Sequence, residues 1–297
     1  MSEKIDMDIV VCVKQVPNPC LPVETDSETG HLNDGEWTYI VNPYDEVALE
    51  EAIRIREGQG EGSVIVISLG PGQAESALQW CLAMGADDAI HIQYDEPYSL
   101  DGYATATILS RIISKIKYDL ILCGSQSVDW SNGGVGIMIG ELLNLPVITS
   151  VVMMAVSAGG KSVTVSRLVE RGDKQQIRCN LPAVLTVKMA LCEPRYPSLP
   201  KIKESLKKEI SRISIGPLNQ DDINVKSVPL STQVVSISRP PPKRLFVPPS
   251  DLTPEERINL LVSGMAKQKE SNLLRGPASD VAKKLVEFLV EVGSVPE

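Results

Sequence analysis

Asp119-Leu-Ile-Leu-Cys-Gly-Ser-Gln-Ser-Val-Asp-Trp-Ser-Asn-Gly-Gly-Val-Gly136 decides the fold of this chain. Residues 120–123 read as a buried strand, and Gly124 breaks it into a polar, glycine-containing loop. A helix begins near Gly134, carries Ile137, Ile139, Leu142 and Leu143, and ends near Asn144. Strand, flexible loop and helix start make a cradle for an anion. The loop's free N–H groups and the positive end of the helix dipole face the same strand end. The lysine of a P-loop is missing, as is the G-x-G-x-x-G spacing of a dinucleotide fingerprint. Such a loop suits a nucleotide that is held and not cut. An ordinary strand-to-helix turn is the other reading of the same spacing.

Working upstream, residues 7–146 alternate strand-like and helix-like patterns. An apolar run over 7–13 ends at Lys14 and Pro17. Asn42-Pro43-Tyr44-Asp45-Glu46 is a helix start, with Asn as N-cap, Pro in the first turn and acids beside it. Val47, Leu49, Ala52, Ile53 and Ile55 give that helix its apolar face, and Gly58 and Gly60 end it. A strand over 63–69 turns through Gly70-Pro71-Gly72-Gln73 into a second helix closed by Gly85. A short strand (89–92) and a helix (103–116) lead back to the opening stretch. This order, with continuous apolar strands, predicts an α/β fold: a mostly parallel, doubly wound sheet with helices on both faces. Ligands in such sheets lie beyond the C-terminal strand ends, at the switch point of strand order. Residues 12–14, 69–72 and 124–129 are therefore the expected pocket.

Downstream the rhythm changes. Stretches 147–156, 161–171 and 174–179, joined by Gly159-Gly160 and Gly172-Asp173, predict a β-meander, and 183–189 one more apolar strand. In Glu193-Pro-Arg-Tyr-Pro-Ser-Leu-Pro200, three prolines exclude regular structure and predict an exposed, stiff loop. A helix over 202–210 follows, and beyond Ser211 the pattern becomes irregular. Pro240-Pro241-Pro242 and Pro248-Pro249 suggest an extended linker. Two amphipathic helices follow, 254–267 capped by Thr253 and 279–290. Helices on such an arm need a surface to cover their apolar faces, on this domain or on a partner. The expected organisation is a nucleotide-binding domain over 1–215 and a C-terminal arm over 216–297.

Composition excludes several function classes. A formal charge of −9 and 4% aromatic residues argue against nucleic acid as a partner. No apolar run is long enough to span a membrane. Six scattered cysteines with no C-x-x-C pair, and only two histidines, leave little for a zinc site or disulfide framework. The expectation is a soluble protein of the cytoplasm.

Six separate pieces, in order, then carry a resemblance. They are Val10-Val-Cys-Val-Lys-Gln-Val-Pro17, Asn42-Pro-Tyr-Asp-Glu-Val-Ala-Leu-Glu-Glu51, Ser68-Leu-Gly-Pro71, Ala83-Met-Gly-Ala-Asp87, Cys123-Gly-Ser-Gln-Ser-Val-Asp129 and Glu193-Pro-Arg-Tyr-Pro-Ser-Leu-Pro200. From residue 7 to about 215 the chain resembles the small (β) subunit of the electron-transferring flavoproteins. The resemblance implies a heterodimer with a larger α subunit that makes most contacts to the electron-carrying FAD. The β subunit holds a nucleotide of its own, AMP in simple carriers and a second FAD, reduced by NADH, in electron-bifurcating members. The family's nucleotide contacts fall on Cys12, Asn42, Pro43, Tyr44, Asp45 and Leu69. They continue over Gly124, Ser125, Gln126, Ser127, Val128, Asp129, Trp130, Ser131, Asn132, Gly133, Gly134 and Val135. No residue of this chain would do acid–base or nucleophilic chemistry, since the cofactor does the redox work.

The loop follows neither family variant. Simple carriers usually show an Asp-rich run with Asn-Gln-Thr, and bifurcating members resemble Asp-Gly-Asp-Thr-Ala-Gln-Val-Gly. Here Val135 and Gly136 match the second pattern and Gly134 replaces its Gln, so AMP and FAD both stay open. Residues 193–200 resemble the family's recognition loop, whose leucine, here Leu199, enters an apolar pocket on acyl-CoA-type dehydrogenases. Arg195 and Tyr196 are in register with it, and Lys201, Lys203, Lys207 and Lys208 offer electrostatic steering. The implied role is to pass electrons between such dehydrogenases and a quinone-linked oxidoreductase. A stand-alone nucleotide-binding α/β protein is the alternative outside this family.

Overall fold

The strand that opened the sequence reading lies in the middle of the sheet. The structure, a computed structural model, describes residues 5–21, 38–95, 100–214, 230–232, 248, 252–263 and 276–291. It divides into two units, Met1–Arg239 and Pro240–Glu297. The first runs through β1 (Ile5–Asp6), β2 (Ile9–Cys12), β3 (Gln15–Pro17), β4 (Tyr39–Val41), α1 (Pro43–Gln59), β5 (Gly60–Glu61) and β6 (Val64–Gly70). It continues through α2 (Glu75–Met84), β7 (Asp88–Gln93), α3 (Gly102–Ile113), β8 (Leu120–Gly124), α4 (Val135–Leu142), β9 (Val147–Val156) and β10 (Ser162–Leu168). β11 (Lys174–Asn180), β12 (Ala183–Val187), α5 (Leu199–Ser205) and β13 (Ser211–Ser214) complete it.

Nine of these strands form one sheet in the order β11-β10-β9-β12-β8-β2-β6-β7-β13. It is parallel from β9 to β13, and β10 and β11 add the expected antiparallel meander at one edge. Successive strand residues go to opposite faces. Val11, Val66, Leu122 and Leu185 pack under α1 and α2, while Val10, Ile67, Ile121 and Val184 pack under α3 and α4. Both faces are covered, which is why the strands read as continuous apolar runs and not as alternation. Each large aliphatic side chain so buried contributes about 1.5–3 kcal/mol.

From β2 the chain steps outward to β6 and β7, then returns to lay β8 on the other side of β2. The order reverses between β2 and β8, so the crevice opens at their C-terminal ends. α1 starts there. Asn42 stands at its N-cap and Pro43 in its first turn, as expected, and Gly60 closes it in the left-handed region at φ 87°.

Three expectations are corrected. Pro200 does not exclude a helix: it sits in the first turn of α5, where a missing N–H leaves no intrahelical acceptor unmet. The helix therefore begins at Leu199, not at residue 202, and ends at Ser205, leaving Lys207 and Lys208 outside it. Residues 211–214, read as irregular, pair with β7 in register Ser211↔Ile90 to Ser214↔Gln93. Their alternation is too short to register as a strand without its neighbour. The small antiparallel pair β3–β4 was also not foreseen.

The second unit contains α6 (Pro254–Ser263) and α7 (Ala278–Glu291). Thr253 and Glu256 form a capping box: the Glu256 carboxylate accepts from the Thr253 N–H at 2.9 Å and hydroxyl at 2.8 Å. Ile258 and Leu261 on α6 and Leu285, Val286 and Phe288 on α7 are exposed. The remainder of the helix expected over 254–267, the proline-rich linker apart from Pro248, and His31 lie outside the described residues.

Candidate nucleotide site and docking loop

Two side chains from the first turn of α1 build the site. Asp45, almost fully buried, accepts the Lys14 N–H on one carboxylate oxygen at 2.8 Å and the Gly124 N–H on the other at 3.0 Å. It thereby ties together the ends of β2 and β8, the two strands that flank the switch point. Burial pushes its carboxyl up to about 7, against hydrogen bonds from Lys14, Asn42 and Gly124 that favour the ionised form. Gly124 is glycine for a steric reason. A Cβ there would stand 2.3 Å from Asp45 Oδ1 and 2.7 Å from Tyr44 Cβ.

Asn42 does not cap α1 with its side chain. Its amide donates to the Gln126 carbonyl at 3.0 Å and its Oδ1 accepts the Val128 N–H at 3.1 Å. Both halves of the amide are thus committed to the loop that follows β8. On the far side, the Ser125 N–H donates to the Val187 carbonyl at the end of β12 at 2.8 Å. The loop then folds on itself through the Ser131 N–H and the Ser127 carbonyl at 2.9 Å. Gly133 takes φ 63°, and a Cβ on it would lie 2.8 Å from the Ser125 carbonyl oxygen. Its lack of a side chain therefore meets two needs at once.

Lys14 Nζ bridges to Asp129 Oδ2 at 2.5 Å, a pair that sequence reading missed. Burial raises the Asp129 carboxyl, but hydrogen bonds from Lys14 and Ser127 and the Lys14 charge outweigh it and hold it below the usual range. Lys14 was legible as part of the expected pocket, at the end of the first apolar run, but not as the partner of Asp129. Asp129 is the single charged side chain between Gly124 and Val135, and Lys14 answers it. What the loop offers a phosphate is therefore backbone N–H and the start of α4, whose N-cap Gly134 makes no side-chain cap bond. That donor set fits the phosphate of a nucleotide.

The expected residues lie at the ends of adjacent strands, at the start of α1 and in the loop after β8. Cys12 ends β2, Asn42, Pro43, Tyr44 and Asp45 begin α1, and residues 124–135 span β8 to α4. Leu69 lies near the end of β6, the strand next to β2. Cys12 and Cys123 are paired neighbours on β2 and β8. The hydrogen bond between their thiols, followed by burial, pushes Cys123 well above its ordinary pKa. All six cysteines are unpaired. Trp130 is 50% exposed, so it does not pack into this chain's core.

The second site is the stretch around α5. Arg195 is bound inward: its Nε meets Glu50 Oε2 at 2.8 Å, and its Nη1 and Nη2 meet the two Glu57 oxygens at 2.7 and 2.9 Å. The Arg54 guanidinium donates to the Glu193 carbonyl at 3.1 Å. Tyr196 stands edge-on to Trp80 with ring centroids 5.2 Å apart, and Trp80 donates to Glu46 at 2.9 Å. Pro197 is buried, whereas Tyr196 and Leu199 are 82% and 65% exposed. Arg195 therefore anchors, and Tyr196 and Leu199 are presented.

Fold and site together define a doubly wound α/β protein with a loop of nucleotide-cradle form at its switch point. Residues 29–218 match the family model described as electron transfer flavoprotein domain. The chain is similar to the electron transfer flavoprotein subunit beta of Bacillus subtilis, 33% identical over 266 residues that cover 88% of this chain and 90% of that protein. It is 41% identical to the subunit of that name from Thermoanaerobacterium thermosaccharolyticum over 242 residues, 80% of this chain and 90% of the relative. The subunit from Sus scrofa is 34% identical over 239 residues, with the same two coverages, 80% and 90%. The chain belongs to the family of electron transfer flavoprotein β subunits. Among the described residues, no helix is long and apolar enough to cross a membrane.

Proposed function

We propose that this chain is the β subunit of a heterodimeric electron carrier that works in the cytoplasm. Its α subunit makes most contacts to the electron-carrying FAD. The heterodimer passes electrons between acyl-CoA-type flavin dehydrogenases and a quinone-linked oxidoreductase. The observation that carries the proposal is the extent of the family match, 29–218, which includes both the loop after β8 and the segment of Arg195, Tyr196 and Leu199. In this reading residues 124–135 hold AMP, with Asn42 and Asp45 fixing the loop that touches it. The cofactor supplies the electron-accepting chemistry, and this chain's residues bind and orient. Leu199 is the docking anchor. The arm over 216–297 packs on the α subunit, which gives the exposed apolar residues of α6 and α7 a surface to cover.

A second reading rests on Val135-Gly136, which match the bifurcating pattern: the same site then holds a second FAD reduced by NADH. One experiment separates the two. The heterodimer is purified, its nucleotides are released by denaturation and identified by mass, and flavin is counted by absorbance. One FAD with one AMP supports simple transfer, and two FAD with no AMP supports bifurcation. A chain that purifies without an α subunit, carrying neither nucleotide, would overturn both in favour of a stand-alone α/β protein.

A further inference from the structure

Glu50, in the middle of α1, is a buried carboxylate with four hydrogen bonds that the candidate nucleotide site does not use. Its side chain is 2% exposed, yet it carries charge. Such burial is tolerable only where donors replace water. Arg54 Nε donates to Oε1 at 2.6 Å, and Arg195 Nη2 to the same oxygen at 3.2 Å. Arg195 Nε and its backbone N–H both donate to Oε2, at 2.8 and 3.1 Å. Burial alone would raise the Glu50 carboxyl, but the bonds from Arg195 and Arg54 outweigh it and hold it below the ordinary range. The carboxylate thus fixes both the guanidinium and the peptide of Arg195. Glu57 adds a bidentate contact from about two helical turns further on, at a half-exposed position where solvent weakens it.

We infer that Glu50 is the positioning residue of the docking segment: through Arg195 it fixes where Tyr196 and Leu199 stand on the surface. Arg195 is four residues from Leu199, and the chain between them has little freedom. Pro197 is buried and Pro200 lies in the first turn of α5. An anchor at Arg195 is therefore transmitted to Leu199 with small loss. Arginine is required because only its planar fork reaches two carboxylates at once, and lysine would keep the charge and lose the geometry. The inference rests on the proposal that Leu199 docks on a dehydrogenase. It adds a residue that touches no partner and acts only through another.

The test uses the intact heterodimer and a purified acyl-CoA dehydrogenase reduced with octanoyl-CoA. Deuterium exchange of the amides in 193–199 is measured alongside the KM and kcat for electron transfer. In Glu50→Gln an amide NH2 faces donors, so exchange over 193–199 should rise at least about tenfold, with β8 amides unchanged. KM for the carrier should rise by about fivefold or more while kcat stays within about twofold, because docking and not chemistry is disturbed. Arg195→Lys should act in the same direction, and it serves if Glu50→Gln fails to assemble. The double variant should be no worse than the single ones, since the pair acts as a unit. Unchanged exchange in Glu50→Gln, or additive effects in the double variant, would overturn the inference. Raised exchange with unchanged KM would instead overturn the docking role of Leu199.

Discussion

Replacing Gly124 by alanine tests the junction on which the proposed nucleotide site rests. The added methyl would lie 2.3 Å from Asp45 Oδ1, 2.7 Å from Tyr44 Cβ and 3.1 Å from the Tyr44 carbonyl carbon. Ordinary contact starts near 3.4 Å, so the end of β8 and the start of α1 must part by about 1 Å. Backbone is among the obstructing atoms, so no rotamer change relieves it. The same movement stretches the Gly124 N–H to Asp45 bond from 3.0 Å to about 4 Å, beyond hydrogen-bond range. Overpacking costs about 1–3 kcal/mol. A buried acceptor that loses a partner adds about 1–3 kcal/mol, for a total of about 4 kcal/mol. At about 2–4 °C per kcal/mol for a chain approaching this size, Tm should fall by about 8–16 °C. The assay is a thermal melt of the purified heterodimer, with nucleotide content measured on the same sample. Gly72→Ala is the control, because nothing lies within 4 Å of its would-be Cβ. A Gly124→Ala protein that melts within about 2 °C of the parent and retains its nucleotide would refute the account of the junction.

The titration of Asp45 gives a second prediction. Burial raises its carboxyl from 3.8 to about 7, so between those values the folded chain keeps a proton that the unfolded chain releases. Stability therefore falls as pH rises through that window, by at most about 1.4 kcal/mol per pH unit, and levels off above it. Urea titrations at about pH 5, 6, 7 and 8 should show this slope as the difference between the parent and Asp45→Asn; no difference would discount the burial argument. Removing residues 239–297, close to the division between the two units, should abolish co-purification with the α subunit while far-ultraviolet dichroism of the remaining α/β unit persists. A truncated chain that still co-purifies would show that the arm is not the main grip.

Sequence carried the parallel sheet because residues such as Val10, Val11, Ile121 and Leu122 are apolar without alternation, and only a strand buried on both faces needs that. It carried the start of α1 because Asn-Pro-x-Asp satisfies helix-start physics locally. It did not reveal why Asn42 and Asp45 stand there. Both look like capping residues, yet their side chains reach residues 84 and 79 positions away, Gln126 and Gly124. Nothing local distinguishes a side chain that caps its own helix from one that crosses to a neighbouring strand end. The same limit hid the Lys14–Asp129 pair, separated by 115 positions, and the strand pairing of residues 211–214, which exists only because β7 offers an edge. Pro200 misled for the opposite reason: a proline that forbids a helix interior favours its first turn, and spacing alone does not say which applies.

α1 touches both sites, Asn42 and Asp45 at one end and Glu50, Arg54 and Glu57 along its body, which raises the question of coupling. Glu50 lies eight residues beyond Asn42, about 12 Å at 1.5 Å rise per residue. A helix transmits a signal only if it has two arrangements that the two sites favour differently. α1 shows one: its apolar face, Val47 to Ile53, is fully enclosed against the sheet, and a packed core does not slide by small increments. Asn42 and Asp45 also bind the loop through bonds that need no shift of the helix axis. The two sites should therefore be anchored on one rigid beam and remain energetically independent. Adding AMP to nucleotide-stripped heterodimer should slow amide exchange in 124–135 severalfold while leaving 193–199 unchanged. Slower exchange in both segments would mean that α1 does have a second arrangement. Glu50 would then be the residue through which nucleotide occupancy reaches the docking surface.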